Sequence, residues 1–275
     1  MSYVTRGRDH SRDDRYLTTR ITADGRDGHP VEPGRYRLVV SRACPWASRA
    51  VIVRRLLGLE EALEWKPYQR SGAPALYPPA LRPEIDAVNE VVYRDVNNGV
   101  YRAGFAGSQE AYAAAYERLF RRLDWLSARL EGSRYLVGDT ITEADVRLFT
   151  TLVRFDAVYH GHFKCDRQKL SEMPVLRAYA RDLFQTPGFG DTVDFDHIKR
   201  HYFLVHEDIN PTGIVPLGPD PSGWLAPHGR AALGGRPFGD GTPPGPATAA
   251  ESVPWPYAQG PADGGTGTGP AGSGA

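Results

Sequence analysis

Apolar positions along the chain fall into two regimes. Residues 36–41 (YRLVVS) form a short β-branched run behind the Pro33-Gly34 turn, which predicts a buried strand. Cys44-Pro45-Trp46-Ala47 follows and leads into SRAVIVRRLLGLE. Val51, Val53, Leu56 and Leu57 there predict a helix, with Pro45 in its first turn and Gly58 as its stop. Periodicity is weak over 61–80, which holds four prolines and one further short strand expected around 63–65. Beyond Pro83 the pattern turns helical. Ile85, Val88, Val92 and Val96 line a first face that breaks at Asn97-Asn98-Gly99. Tyr112, Tyr116, Leu119, Leu123, Leu126 and Leu130 give a long helix over 109–130, stopped at Gly132. In Ile141-Thr142-Glu143-Ala144-Asp145-Val146, Thr142 is the expected cap, Asp145 its reciprocal partner and Ile141 a staple onto Val146. That helix runs through Leu148, Leu152 and Phe155 toward Tyr159. Another follows Pro174 with Leu176, Tyr179 and Leu183, and a last one holds Ile198, Tyr202 and Val205.

Composition changes this picture mainly at the ends. Residues 1–34 are polar and arginine-rich and read as an irregular extension, without the apolar core of a secretory signal. Residues 219–275 hold 14 Gly and 11 Pro, too little apolar surface to offset ordering entropy, and are expected to be a disordered tail. Lys plus Arg and Asp plus Glu balance at 33 each, which argues against a general nucleic-acid binder. No run is long enough for a membrane span, and two cysteines make no disulfide framework. A soluble cytoplasmic protein is expected.

Cys44 is the leading chemical candidate. A thiol at a helix N-terminus meets partial positive charge and free N–H groups, which favour the thiolate. Ala47 stands where a second cysteine of a Cys-x-x-Cys pair would be, so a redox cycle needs an external thiol. Cys165 has no matched partner nearby and reads as structural. His160 with His162, and His197 with His201, have spacings seen in metal sites. Neither pair brings the accompanying acidic or thiol ligands, so no metal is expected. Tyr101, Tyr159 and Tyr202 follow helix ends or sit on the last helix, and read from the residues alone as buried structural tyrosines.

The run YRLVVSRACPWASRAVIVRRLLGLE resembles the start of the glutathionyl-hydroquinone reductases, the xi class of glutathione transferases. VNNGVYRAGFAGSQEAY, RYLVGDTITEADVRLFTTLVRFDAVYHGHFKC, FDHIKRHYF and INPTGIVPLGP are similar to the same family in the same order, over about residues 35–219. The resemblance implies a thioredoxin-like domain followed by a glutathione transferase helical bundle, α/β plus all-α, usually in a homodimer. It implies glutathione, or another small thiol, as co-substrate and aromatic or quinone conjugates as substrates. Cys44 would then be the nucleophile, with Tyr101 and Tyr202 catalytic and Trp46 and Tyr159 binding substrate. One departure stands out. A thioredoxin-like unit needs roughly 80 residues, and only 45 lie between Arg35 and Pro79 inclusive. The family's Val-Pro bend and Glu-Ser pair, which grip glutathione, have no counterpart there. The expected organisation is thus an extension (1–34), a truncated thioredoxin-like domain (35–80), a helical domain (81–218) and a tail (219–275). The alternative is a non-catalytic binding or dimerisation module built on the helical domain.

Overall fold

A computed structural model describes residues 4, 18–22, 24–30, 32, 35–36, 38–59 and 71–246. Among these the architecture is helical. Seven α-helices follow one another: α1 (Pro45–Leu57), α2 (Arg82–Val91), α3 (Gly99–Gly104), α4 (Gln109–Leu130), α5 (Glu143–Leu152), α6 (Pro174–Gln185) and α7 (Phe195–Val205). Two π-helical turns interrupt the regular winding, Val92–Asn97 after α2 and Phe155–Tyr159 after α5. Such turns re-aim the side chains that follow them.

The core is one apolar cluster. On α4, Leu119, Leu123, Leu126 and Leu130 are buried, as their spacing predicts, and Tyr112 and Tyr116 pack at its edge. Ser108 caps α4 by accepting the Ala111 N–H at 3.1 Å. On α5, Asp145 reaches back to the Thr142 N–H at 2.8 Å and also accepts from Leu136 N–H at 3.0 Å and the Tyr179 hydroxyl at 2.8 Å. The capping residue thereby ties α6 to the start of α5. Ile141 and Val146, the expected staple pair, are both buried.

Helix α1 packs against α5. Its inward stripe is Ser48, Ile52 and Leu56 at helical spacing, while Val51 and Val53 stay only half-buried. Gly58 ends it with a left-handed φ of 64°, a conformation other residues reach at a cost.

Two sequence expectations are corrected. The run at 36–41 is no buried strand: its described residues are irregular, and Leu38, Val39 and Val40 are exposed, Val39 at 84%. A β-branched run becomes a strand only when a neighbour takes its N–H and C=O groups, and among the described residues none does. The strand expected at 63–65 lies outside the described residues. Second, the Gly/Pro-rich region is ordered as far as residue 246. Trp224 is buried against Phe184 and Phe195, with centroids at 5.0 and 6.1 Å. Gln185 Nε2 donates to the carbonyls of Trp224 and Ala226 at 2.9 and 2.8 Å. Buried Arg230 donates to the carbonyls of Leu130, Ser133 and Arg134. Backbone bonds from Ile141 to Pro237, Arg236 to Asp139 and Thr242 to Gly72 complete a strap across the bundle. The segment lacks its own core, but it borrows the bundle's through one tryptophan and many main-chain bonds. Residues 247–275 lie outside the described residues.

Candidate functional site

Three tyrosines expected from different elements meet at one point. Tyr101 comes from α3, Tyr159 from the π-turn after α5, and Tyr202 from α7. The Tyr202 hydroxyl lies 2.5 Å from that of Tyr101 and 3.0 Å from that of Tyr159. Their rings meet edge-on or tilted, with centroids 5.7–6.5 Å apart. Phe163 fills the centre, 5.4–5.6 Å from all three. Its ring presses on α3 at Gly104, where any Cβ would collide with it. Burial pushes the Tyr159 and Tyr202 phenols well above their ordinary range and raises Tyr101 as well. All three therefore stay protonated and act as hydrogen-bond donors.

Cys44 occupies the N-cap of α1 with extended backbone (φ −75°, ψ 119°), and its side chain makes no capping bond. It is a half-buried free thiol. After burial and hydrogen bonds, the electrostatic influences on Tyr101 include Cys44, which raises it, and Arg154, which lowers it. Trp46, in the first turn of α1, packs edge-on to Tyr93 at 5.7 Å, with the Arg49 guanidinium 4.4 Å above it. It is not one of the rings of the tyrosine cluster. Arg49 in turn reaches Asn97 Oδ1 at 2.5 Å, and Asn97 holds the Arg147 carbonyl and the Thr151 hydroxyl. Helix α1 is so fixed to the turn after α2 and to α5.

Sequence reasoning missed Arg154. It is 1% exposed and makes four hydrogen bonds: Nε to the Ala43 carbonyl at 3.1 Å, Nη2 to the Arg42 carbonyl at 3.1 Å and Ser48 Oγ at 2.8 Å, and Nη1 to the Thr150 carbonyl at 2.8 Å. Ser48 Oγ in turn donates to the Cys44 carbonyl at 3.0 Å. The one available signal was a lone arginine inside the apolar run LFTTLVRFDAVY.

One histidine pair joins distant parts of the chain. His162 Nε2 meets His206 Nδ1 at 3.1 Å, and burial pushes both rings down to about 4. His197 faces Asp194 at 3.2 Å. Among the described residues no three or more His, Cys, Asp or Glu gather as metal ligands. Cys165 is fully buried, and burial pushes its thiol up. Among the described residues no helix is long and apolar enough to cross a membrane.

The helical part has the form of a known domain: a family model for the glutathione S-transferase C-terminal domain matches residues 109–182. A glutathione transferase from Gordonia bronchialis shares 57% identity and a TM-score of 0.85, over 87% of this chain and 98% of its own. Glutathionyl-hydroquinone reductase YqjG of Escherichia coli is 37% identical over 294 residues, 76% of this chain and 88% of YqjG. The glutathione-bound structure of YqjG aligns at a TM-score of 0.69 with 36% identity, over 77% of this chain and 95% of that one. The chain belongs to the glutathionyl-hydroquinone reductase family of glutathione transferases.

Proposed function

We propose that this chain is a glutathione-dependent reductase of glutathionyl-hydroquinones, with Cys44 as nucleophile. The observation that carries the reading is the meeting of three tyrosine hydroxyls in a chain of this family that also holds a half-buried free thiol at a helix N-terminus.

The chemistry runs in two steps. The Cys44 thiolate attacks the conjugate's sulfur, so a Cys44–glutathione disulfide forms and the aryl carbon–sulfur bond breaks. The aryl carbon leaves with the bonding electron pair and takes a proton, giving the free hydroquinone. The two sulfurs are oxidised to a disulfide and the aromatic carbon is reduced. A glutathione thiolate then attacks the mixed disulfide, releasing glutathione disulfide and restoring Cys44. The net change consumes one conjugate and one glutathione. The Tyr101–Tyr202–Tyr159 chain supplies O–H donors to the quinol oxygens and a route for the proton. Trp46, two residues after the thiol and held by Arg49 and Tyr93, is the substrate-binding indole in this reading.

The same reading includes a shortened thioredoxin-like domain. Its support is that the match to YqjG runs over 294 positions while using 76% of a 275-residue chain. Homodimerisation belongs to it too, supported by the exposed apolar run Leu38-Val39-Val40, which calls for a cover. Two free thiols suit a reducing cytoplasm.

The test is to incubate the full chain with a glutathionyl-hydroquinone and no free glutathione, then analyse its peptides by mass spectrometry. One glutathione on the Cys44 peptide, with one hydroquinone released per chain, is the expected result. Hydroquinone release without an adduct on Cys44 contradicts the nucleophile assignment.

A further inference from the structure

On α6, Arg177 and Arg181 stand one turn apart and line a cavity of about 310 Å³. Among the described residues neither makes a salt bridge, and the Nε of each is shut off from water without a hydrogen-bond partner. Arg177 is only 8% exposed, and what faces it is the indole of Trp224, 4.0 Å from its guanidinium carbon. A buried cation stacked on a ring face, with no direct ion pair among the described residues, is unusual, because burying charge is costly unless it is paired. Burial, and then the like charge of Arg181, push the Arg177 guanidinium down to about 10 against an opposing pull from Asp156.

Two carboxylates share the cavity, and both are already engaged. Asp156 accepts the N–H groups of Leu170 and Ser171 at 2.5 and 3.0 Å. Asp220 accepts the N–H and hydroxyl of Ser222 at 2.9 and 2.6 Å. Ser171 and Ser222 also line it, and Val153, Ala157, Phe195 and Trp224 give it an apolar side. Gly223 leaves the arginines room, since a Cβ there would lie 3.2 Å from Arg177 Nη2.

We propose that this cavity binds a small organic anion, its carboxylate or phosphate held by the guanidinium groups of Arg177 and Arg181 and its apolar body against Phe195 and Trp224. Planar guanidinium forks match both oxyanions in geometry. The volume lies at the lower end of small-molecule sites, larger than an inorganic anion needs. The cavity includes neither Cys44 nor any of the three clustered tyrosines, so the proposal does not rest on the reductase reading.

The test is calorimetric titration of the full chain with benzoate and, separately, with inorganic phosphate, in chloride of matched ionic strength. Saturable one-site binding of either probe is expected. Benzoate binding alone identifies a site that needs the apolar body; phosphate binding alone identifies an oxyanion head. Arg181→Gln should weaken binding about tenfold or more, and Arg181→Lys, which keeps charge but loses the fork, should weaken it less. Both variants should keep the wild-type circular dichroism spectrum and melting temperature, which report that they are folded. No saturable binding of either probe to wild type, or equal affinity in folded Arg181→Gln, overturns the proposal.

Discussion

Arg154 Nε lies 3.1 Å from the carbonyl oxygen of Ala43, so a buried residue of the helical domain grips the backbone one step before Cys44. With the bonds to Arg42 and Ser48, a single guanidinium fixes the N-terminus of α1, and with it Cys44, against the end of α5. Replacing it by Gln strands several buried acceptors, at about 1–3 kcal/mol for each unsatisfied group. Arg154→Gln is expected to lose roughly 2–5 kcal/mol by urea denaturation. Arg154→Lys keeps a donor but not the fork. It should stay folded with kcat/KM down about tenfold or more. Wild-type kcat/KM in Arg154→Lys contradicts a positioning role.

Tyr202 is the central hydroxyl, touching both of the others. Tyr202→Phe keeps the ring and breaks the chain of hydroxyls at its middle, whereas Tyr159→Phe removes one end. Steady-state kinetics should show a loss in kcat of about 10²-fold for Tyr202→Phe, in the range of a general acid, and a smaller loss for Tyr159→Phe. Equal and slight effects contradict a shared proton route.

The His162–His206 pair predicts acid sensitivity. Folded, both rings titrate at about 4; unfolded, they take a proton near 6.5. Between those values the unfolded chain binds more protons, so stability rises with pH across the window and is lost as pH falls from about 6.5 toward 4. The size is on the order of 3 kcal/mol per imidazole if each titrates alone. Urea midpoints at pH 7.5 and pH 5.0 measure it. A His162→Gln, His206→Gln double variant should show a flatter dependence, and an unchanged slope places the acid sensitivity elsewhere.

Trp224 anchors the strap that crosses the bundle. Trp224→Ala should cost about 3–5 kcal/mol and open the Gly/Pro-rich segment to limited proteolysis before the helices are cut. Cleavage sites and melting temperature unchanged from wild type contradict its anchoring role.

Much of the bundle was legible because its signals are local. The α4 stripe and its end at Leu130, the Asp145 bond back to Thr142, and Pro45 at the head of α1 each follow from residues within a few turns. The tyrosines were legible as candidates through resemblance, while their common hydroxyl contact depends on three elements converging. Arg154 was not legible, since its partners Arg42 and Ala43 lie more than a hundred residues away. The His162–His206 contact was not legible for the same reason: the two rings lie 44 residues apart and only packing joins them. At 36–41 β propensity was read without its neighbours. At 219–246 composition was read without the surface it docks on, and a strap needs little apolar content of its own.

The most direct test of the account is glutathione-dependent conversion of a glutathionyl-hydroquinone to hydroquinone by the full chain, measured beside Cys44→Ala. Turnover in the wild type that vanishes in folded Cys44→Ala is the predicted result. Turnover that persists without Cys44, or a folded wild-type chain with none, contradicts it.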